Sequence, residues 1–554
     1  MINKALDEEE MFLYLQFSNS PIMDSIWIYG AILILLTFWS LFWGYFPGLR
    51  NRKLPPGPPC LPIIGNLHQI PITGAHLKFT EWAAKYGPIF SLKIGPGTAV
   101  VLNSPYMIKQ LIDKQSAIYS ERPKFYIADH LVMHGDHLMF MGPDARWRRG
   151  RRLYHQYFNE TACEKKHIFL QNAEAVQLLR DLYVEPDSFM NHCKRFTNST
   201  TMSLVTGIRT PAASASHMRH LYAVLDGISE IFEPGATPPI DIFPFLAWLP
   251  ESLFNNWKSR AREVAQTMDK VYGPLVDRVL KRRESGSEFR ESYLDMVLDQ
   301  QEKLQLTRHE IDLMVGNLLE GGSDTTSIMT IAFIQAMALY PDVQKEAQKE
   351  IDKIIGEERS PEWRDYANLP YVAMVMKETM RWRPVLPTAF PHATSKETVI
   401  DGMTIPAGST VIPNIWGLHH DSRKHVNPDR FNPLRYKGRV DLAPIYASSP
   451  DYENRDHYAY GSGRRICPGI HLAERGLFLA MAKILWAFDI SPMRDAQGHP
   501  LHINTDPATG YSDGFLRCPK PFPVKINLRS ARHQETIDAE FSCAERDIFS
   551  KYDI

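Results

Sequence analysis

The sequence predicts a mainly helical body with small β-sheets, carried behind one N-terminal membrane-spanning helix. Three observations lead there. Residues 25–49 contain no charged side chain. Beyond them, apolar residues recur with a helical period, punctuated by caps and prolines, over most of the chain. Alternating, β-like stretches are confined to 88–105, 398–413 and the region near the C-terminus. There is no βαβ alternation and no internal repeat.

The N-terminal element is "IWIYGAILILLTFWSLFWGYF", 21 residues from 26 to 46. At the rise of an α-helix it spans roughly 30 Å, about one bilayer core. Trp27, Tyr29, Trp43 and Tyr45 lie towards its ends, where amphipathic rings favour the headgroup level. A cleaved signal peptide would start basic and end on small residues. This one starts with "DEEE" at 7–10 and ends aromatic, which favours an uncleaved anchor. Arg50, Arg52 and Lys53 follow, so residues 1–24 are read as luminal, 25–49 as a single-pass anchor in the endoplasmic reticulum membrane, and the body as cytosolic. "LPPGPPCLPIIGN" (54–66) holds five prolines in its first nine residues; it is no helix, and it closes a basic, proline-rich hinge over 50–66.

The body is read as one domain over 67–530. "HLKFTEWAAKYG" is a short helix, and 88–105 a hairpin turning at Gly95-Pro96-Gly97. Further helices are expected at "MIKQLIDK", 268–282, 307–340, 341–356 and 371–382. The 307–340 stretch opens on a capping box, Thr307 with Glu310, and stops at Pro341. A helix of that length is about 50 Å long and crosses the domain. Its middle reads "GGSDTT" (321–326), and two mid-helix glycines cost about 1 kcal/mol each. They serve either as a notch for a crossing helix or as a groove for a small molecule beside a hydroxyl and a carboxylate. Residues 531–554 are polar and read as a surface extension.

Composition sets limits on function. The chain carries 62 basic and 63 acidic side chains, a balance that gives no footprint for nucleic acid. Its six cysteines are scattered without a CxxC pair, which argues against a disulfide framework or a zinc site and fits a reducing compartment. One of them needs another account. "YAYGSGRRICPG" (458–469) sets Cys467 among glycines at 461, 463 and 469, directly before the apolar helix "GIHLAERGLFLAMAKILWAF". On its own a buried cysteine is usually inert packing. Here glycine backbone N–H groups and a helix N-terminus are available to hold a thiolate.

The spacing Tyr460, Gly463, Arg465, Cys467, Gly469 resembles the haem-binding signature of cytochromes P450. Tyr460 stands where that family usually has phenylalanine; it keeps the ring and adds a hydroxyl. Other motifs occur in the family's order. "ETMR" (378–381) is similar to its Glu-x-x-Arg helix, and "NPDRF" (427–431) to its later Pro-x-Arg-Phe element, which would let Arg430 close a triad with Glu378 and Arg381. "WRRGR" (147–151) is similar to its Trp-x-x-x-Arg helix. The resemblance covers about residues 55–530, and the proline hinge, the span and "DIFPFLAWLP" (241–250) look like the membrane-bound fungal members of secondary metabolism.

What the resemblance implies is specific. The cofactor is heme b, its iron bound by the Cys467 thiolate; Trp147, Arg151, Arg465 and His392 meet its propionates, and Tyr460 packs beside it. Asp324 and Thr325 carry protons to dioxygen. The expected activity is a monooxygenase acting on a lipophilic small molecule such as a terpenoid, polyketide or prenylated alkaloid, fed by NADPH–cytochrome P450 reductase. "DIFPFLAWLP" would dip into membrane lipid and form a lipophilic entrance. Two alternatives belong to other classes: an isomerase or dehydratase that rearranges a peroxide, whose members tend to lose the acid–threonine pair kept here, and a haem sensor, which would carry an output domain that the remaining residues do not supply.

Overall fold

A computed structural model describes residues 28–35, 37–38, 53–61, 64–232, 237–286 and 291–552. Of the anchor read at 25–49, only 28–35 and 37–38 are described, and they are helical; the rest of it, residues 1–24, Arg50 and Arg52 lie outside the described residues. Among the described residues no helix is long and apolar enough to cross a membrane.

The longer helices of the body run in the order α1 (Ala75–Tyr86), α2 (Ala145–Phe158), α3 (Ile168–Val184), α4 (Phe189–Thr206), α5 (Ser216–Phe232), α6 (Trp257–Glu284), α7 (Tyr293–Leu304), α8 (Arg308–Ser323), α9 (Thr325–Leu339), α10 (Pro341–Ile354), α11 (Pro370–Trp382), α12 (Ile470–Ala487) and α13 (Ala531–Asp547). The expected hairpin is β1 (Ile89–Ile94) against β2 (Gly97–Leu102), antiparallel. β6 (Thr410–Pro413) adds to β2 in parallel, and β3 (His392–Ala393) to β6 in antiparallel fashion. Two further antiparallel pairs are β4 (Thr398–Ile400) with β5 (Met403–Ile405), and β7 (Phe488–Pro492) with β8 (Val524–Leu528). "MIKQLIDK" is helical but wound as a π-helix over Ile108–Asp113.

The long helix read at 307–340 is two helices, α8 and α9, broken at Asp324. Both arms of the Thr307–Glu310 capping box are present. The break has a physical source: the Ser323 carbonyl accepts hydroxyls from two neighbouring helices, Thr197 at 2.5 Å and Tyr222 at 3.3 Å. Side chains that insert into the ladder in this way bend helices. The two glycines divide the two roles foreseen for them. A Cβ at Gly322 would stand 2.6 Å from the Thr201 hydroxyl, so this glycine is the notch that admits α4. A Cβ at Gly321 would meet nothing within 4 Å, so this one faces open space.

The break also sits where two hydrophobic cores meet. α9 packs with α11 and α12 through Phe333, Met337, Met376, Trp382, Phe478 and Trp486. α8 packs into the other core with α6 through Val315, Leu319, Met268 and Tyr272. Residues 531–547, read as a polar extension, form α13 and lie on the body with Ile537 fully buried.

Candidate active site

The Cys467 turn is set by two constraints. Gly463 has φ +64, and a Cβ there would lie 2.5 Å from the Ile112 carbonyl, so only glycine fits. The Cys467 N–H donates to the Tyr460 carbonyl at 2.9 Å, which closes the loop ahead of α12. Burial pushes the Cys467 thiol up; the Gly469 N–H aimed at the sulfur and the Arg151 cation pull it back towards the thiolate.

Three guanidiniums gather beside it. Trp147 is buried in the first turn of α2, its N–H capped by the Asp144 carboxylate at 2.8 Å. Arg465 stacks over its indole ring at 4.2 Å and Arg151 lies 5.7 Å from it. The Arg151 guanidinium donates to the Ile466 carbonyl at 2.6 Å. Arg465 donates to the carbonyls of Ser120 (2.9 Å), Leu138 (3.4 Å) and Met141 (2.5 Å). Arg122 donates to those of Met139 (2.9 Å), Phe390 (3.1 Å) and Pro391 (2.6 Å).

Burial lowers all three cations, and repulsion adds to it for two of them: Arg465 falls to about 10, through burial and then Arg151, and Arg122 falls well below its ordinary range, through burial, Arg465 and Arg151. For Arg151 burial dominates and the Cys467 sulfur opposes it. Among the described residues none of the three has a carboxylate within ion-pair range, although Arg–carboxylate pairs are common elsewhere in the body. Like charges half-buried together with no carboxylate in direct contact are costly. The cluster fits a dianionic edge, the two carboxylates of a porphyrin, with the thiol as ligand to its metal.

His392, on β3, is buried beside this cluster. Its Nδ1 donates to the Tyr119 carbonyl at 2.7 Å, and burial together with Arg122 and Arg465 holds its pKa at about 3, so the ring is neutral. On the side of the α8–α9 break, the Thr325 hydroxyl donates to the Gly321 carbonyl at 2.8 Å. Burial raises the Asp324 carboxyl, and Lys194 on α4 opposes that rise. The Ser327 hydroxyl donates to the Asp324 backbone carbonyl at 2.8 Å.

The buried Glu-x-x-Arg pair is present: Arg381 donates to both Glu378 oxygens, at 2.7 and 2.8 Å. The third member is not Arg430. That residue is exposed, whereas Arg435 reaches Glu378 at 3.3 Å and the Asn432 N–H donates to the same oxygen at 2.8 Å. The reason lies in the local fold: Arg435 sits on a 3-10 turn, Pro433–Tyr436, packed on α11, while Arg430 lies on the exposed turn before it.

Comparison with known proteins agrees with this geometry. The family model for cytochrome P450 matches residues 55–526. The chain is 50% identical over 506 residues to the cytochrome P450 monooxygenase yanC of Aspergillus niger, covering 91% of this chain and 94% of that one. It is 48% identical to the cytochrome P450 monooxygenase macC of Penicillium terrestre, covering 94% and 98%. It is 45% identical to the cytochrome P450 monooxygenase patH of Aspergillus clavatus, again covering 94% and 98%. The chain belongs to the cytochrome P450 family.

P450 monooxygenases are haem-thiolate enzymes, and the cysteine turn, the unpaired arginines and the open face at Gly321 suit that cofactor. The P450 signature motifs pick out Trp147, Arg151, Arg465 and Cys467, and the fold brings these four together. Sequence reasoning missed Arg122. It lies in the loop "SERPKF", outside any periodic element, and only its closeness to Arg465 and Arg151 marks it. Tyr460 is half-buried, and desolvation with the nearby Glu474 and Cys467 raises its pKa well above the ordinary range, so the departure from phenylalanine adds a neutral dipole.

Proposed function

We propose that this P450 oxidises a lipophilic small molecule, an intermediate of fungal secondary metabolism, using dioxygen and electrons passed from NADPH by a membrane-bound reductase. The single observation that carries the reading is the Cys467 thiol beside a cluster of three half-buried arginines that, among the described residues, have no carboxylate within ion-pair range. In this reading Cys467 binds the iron, Arg122, Arg151, Arg465 and Trp147 hold the propionate edge, and His392 and Tyr460 pack around it as neutral groups. The haem, when bound, supplies the activation of dioxygen that no amino-acid side chain provides.

The chain's own residues supply protons and shape. Thr325 holds a proton on its hydroxyl, at present donated to the Gly321 carbonyl, and the half-buried Asp324 next to it can lose and regain one. Gly321 leaves room where a larger residue would fill the space between helix and ligand. Phe125, Phe140 and Phe390 stack edge to face or tilted at 5.2–5.9 Å near Arg122, an apolar wall suited to a lipophilic guest. Phe245 and Trp248 on the Pro244–Trp248 turn are 55% and 88% exposed, which supports contact of this turn with lipid. An anchor at 25–49 and the hinge at 50–66 would hold the 67–530 body at the endoplasmic reticulum surface, with 1–24 luminal.

The test is spectroscopic and then kinetic. Reduced enzyme exposed to carbon monoxide is expected to show the strongly red-shifted Soret band of a thiolate haem, and Cys467→His is expected to abolish it; a band retained in that variant overturns the ligand assignment. Thr325→Ala is expected to keep the band while releasing more hydrogen peroxide per NADPH consumed. Unchanged coupling removes Thr325 from the proton path.

A further inference from the structure

Glu320 immediately precedes Gly321 and is not part of the machinery described so far. Its carboxylate is buried, and among the described residues the only basic group within ion-pair range is His137. One oxygen accepts the Tyr272 hydroxyl of α6 at 2.6 Å; the other lies 3.0 Å from His137 Nε2. His137 is fully buried. The Met139 N–H stands 3.3 Å from its Nδ1, and the Asn317 amide nitrogen lies against the ring edge, 3.2 Å from Nδ1 and 3.1 Å from Nε2. A backbone N–H can only donate, so Nδ1 accepts and the proton sits on Nε2, which donates to Glu320.

His137 belongs to a segment with two other duties. The carbonyls of Leu138 and Met141 receive Arg465, and that of Met139 receives Arg122. Phe140, one residue further, packs 5.4 Å from the His137 ring and 5.2 Å from Phe390. One imidazole therefore ties the segment that shapes both the arginine cradle and the aromatic wall to the turn of α8 that ends at Gly321. A buried polar pair of this kind is poor value as stabilisation, because well-packed apolar side chains of the same volume serve at least as well. What it adds is a single defined placement of the segment.

We propose that Glu320 and His137 act as a positioning pair that holds residues 137–141 in register against α8 and so sets the fit of bulky apolar ligands at Phe140. The proposal rests on the haem-thiolate reading above. Tyr272 completes the arrangement, and Gly316 permits it: a Cβ there would lie 2.3 Å from the Tyr272 ring.

The experiment uses the full-length holoenzyme and two haem ligands followed by their Soret shifts, imidazole, which is too small to need the wall, and 4-phenylimidazole, which must pack on it. The carbon-monoxide spectrum is recorded first; its failure in the unaltered protein would strike the haem-thiolate reading and not the pair. With that band intact, His137→Ala is expected to weaken 4-phenylimidazole about tenfold and imidazole less than about twofold. Glu320→Gln keeps the shape but offers one acceptor to two donors, and is expected to weaken 4-phenylimidazole about threefold or more; it decides the matter if His137→Ala does not accumulate as holoenzyme. The double variant is expected to be no weaker than His137→Ala alone, because the two residues act through each other. Equal losses for both ligands, losses under about twofold for 4-phenylimidazole, or additive losses in the double variant would overturn the proposal.

Discussion

Glu474 illustrates how far a single residue is ruled by its surroundings. It lies on α12, buried, with one oxygen accepting the Ala443 N–H at 2.8 Å and the other without a hydrogen-bond partner among the described residues. Burial raises its pKa from 4.5 to about 7, against the pull of Lys377 and the Ala443 N–H. The folded state then binds a proton more tightly than the unfolded chain, so stability is fully present below pH 4.5 and declines as pH rises through about 7. The difference amounts to at most about 3 kcal/mol. Glu474→Gln keeps the bond from Ala443 and removes the charge. It is expected to match the parent protein near pH 4.5 and to exceed it in stability by about 1–3 kcal/mol at pH 8, as read from urea unfolding at the two pH values. Nothing in "HLAERG" announces this; the glutamate looks like any other on a helix. Cys467 is the opposite case, since its glycines, its arginine and their spacing are all local and can be read directly.

At the scale of elements, two similar tetrapeptides compete for one role. "PDRF" (428–431) and "PLRY" (433–436) each offer an arginine to Glu378, and their local patterns do not separate them. The fold does, because only the 3-10 turn Pro433–Tyr436 packs on α11 with its arginine reaching inward. Arg435→Ala leaves the buried Glu378 with one guanidinium and is expected to cost about 1–3 kcal/mol, with faster loss of haem on heating. Arg430→Ala is expected to stay within about 0.5 kcal/mol of the parent. Equal melting curves for the two variants would reverse the assignment. The broken central helix teaches the same lesson. Its caps at Thr307 and Pro341 are local signals and both ends stand where they indicate. The break at Asp324 depends on hydroxyls from α4 and α5, which no one-dimensional pattern contains.

Across the whole molecule, α13 closes over a charge. Lys483 on α12 is fully buried, burial lowers its pKa, and its Nζ donates to the Ser360 hydroxyl with the Glu540 carboxylate of α13 at 3.9 Å. Ser360 in turn donates its N–H to Glu540 at 2.8 Å. Removing residues 531–554 takes away that carboxylate together with the buried Ile537, and is expected to lower stability by about 3–5 kcal/mol and to speed haem loss. Arg546→Ala, on the exposed side of the same helix, serves as control and is expected to change little. Equal stability of the truncated and full chains would show that α13 is a passenger.

Read alone, the order of residues was enough for the helical class, the hairpin at 88–105, the cysteine turn and the arginines at 151 and 465, because caps, turn glycines and ligand spacings act over a few residues. It did not reach Arg122, the identity of the third triad arginine, the kink at Asp324 or the His137–Glu320 contact, which spans 183 positions of the chain. These arise when remote segments share a buried, poorly solvated volume, where charges and hydroxyls find partners among neighbours that only the packed fold supplies.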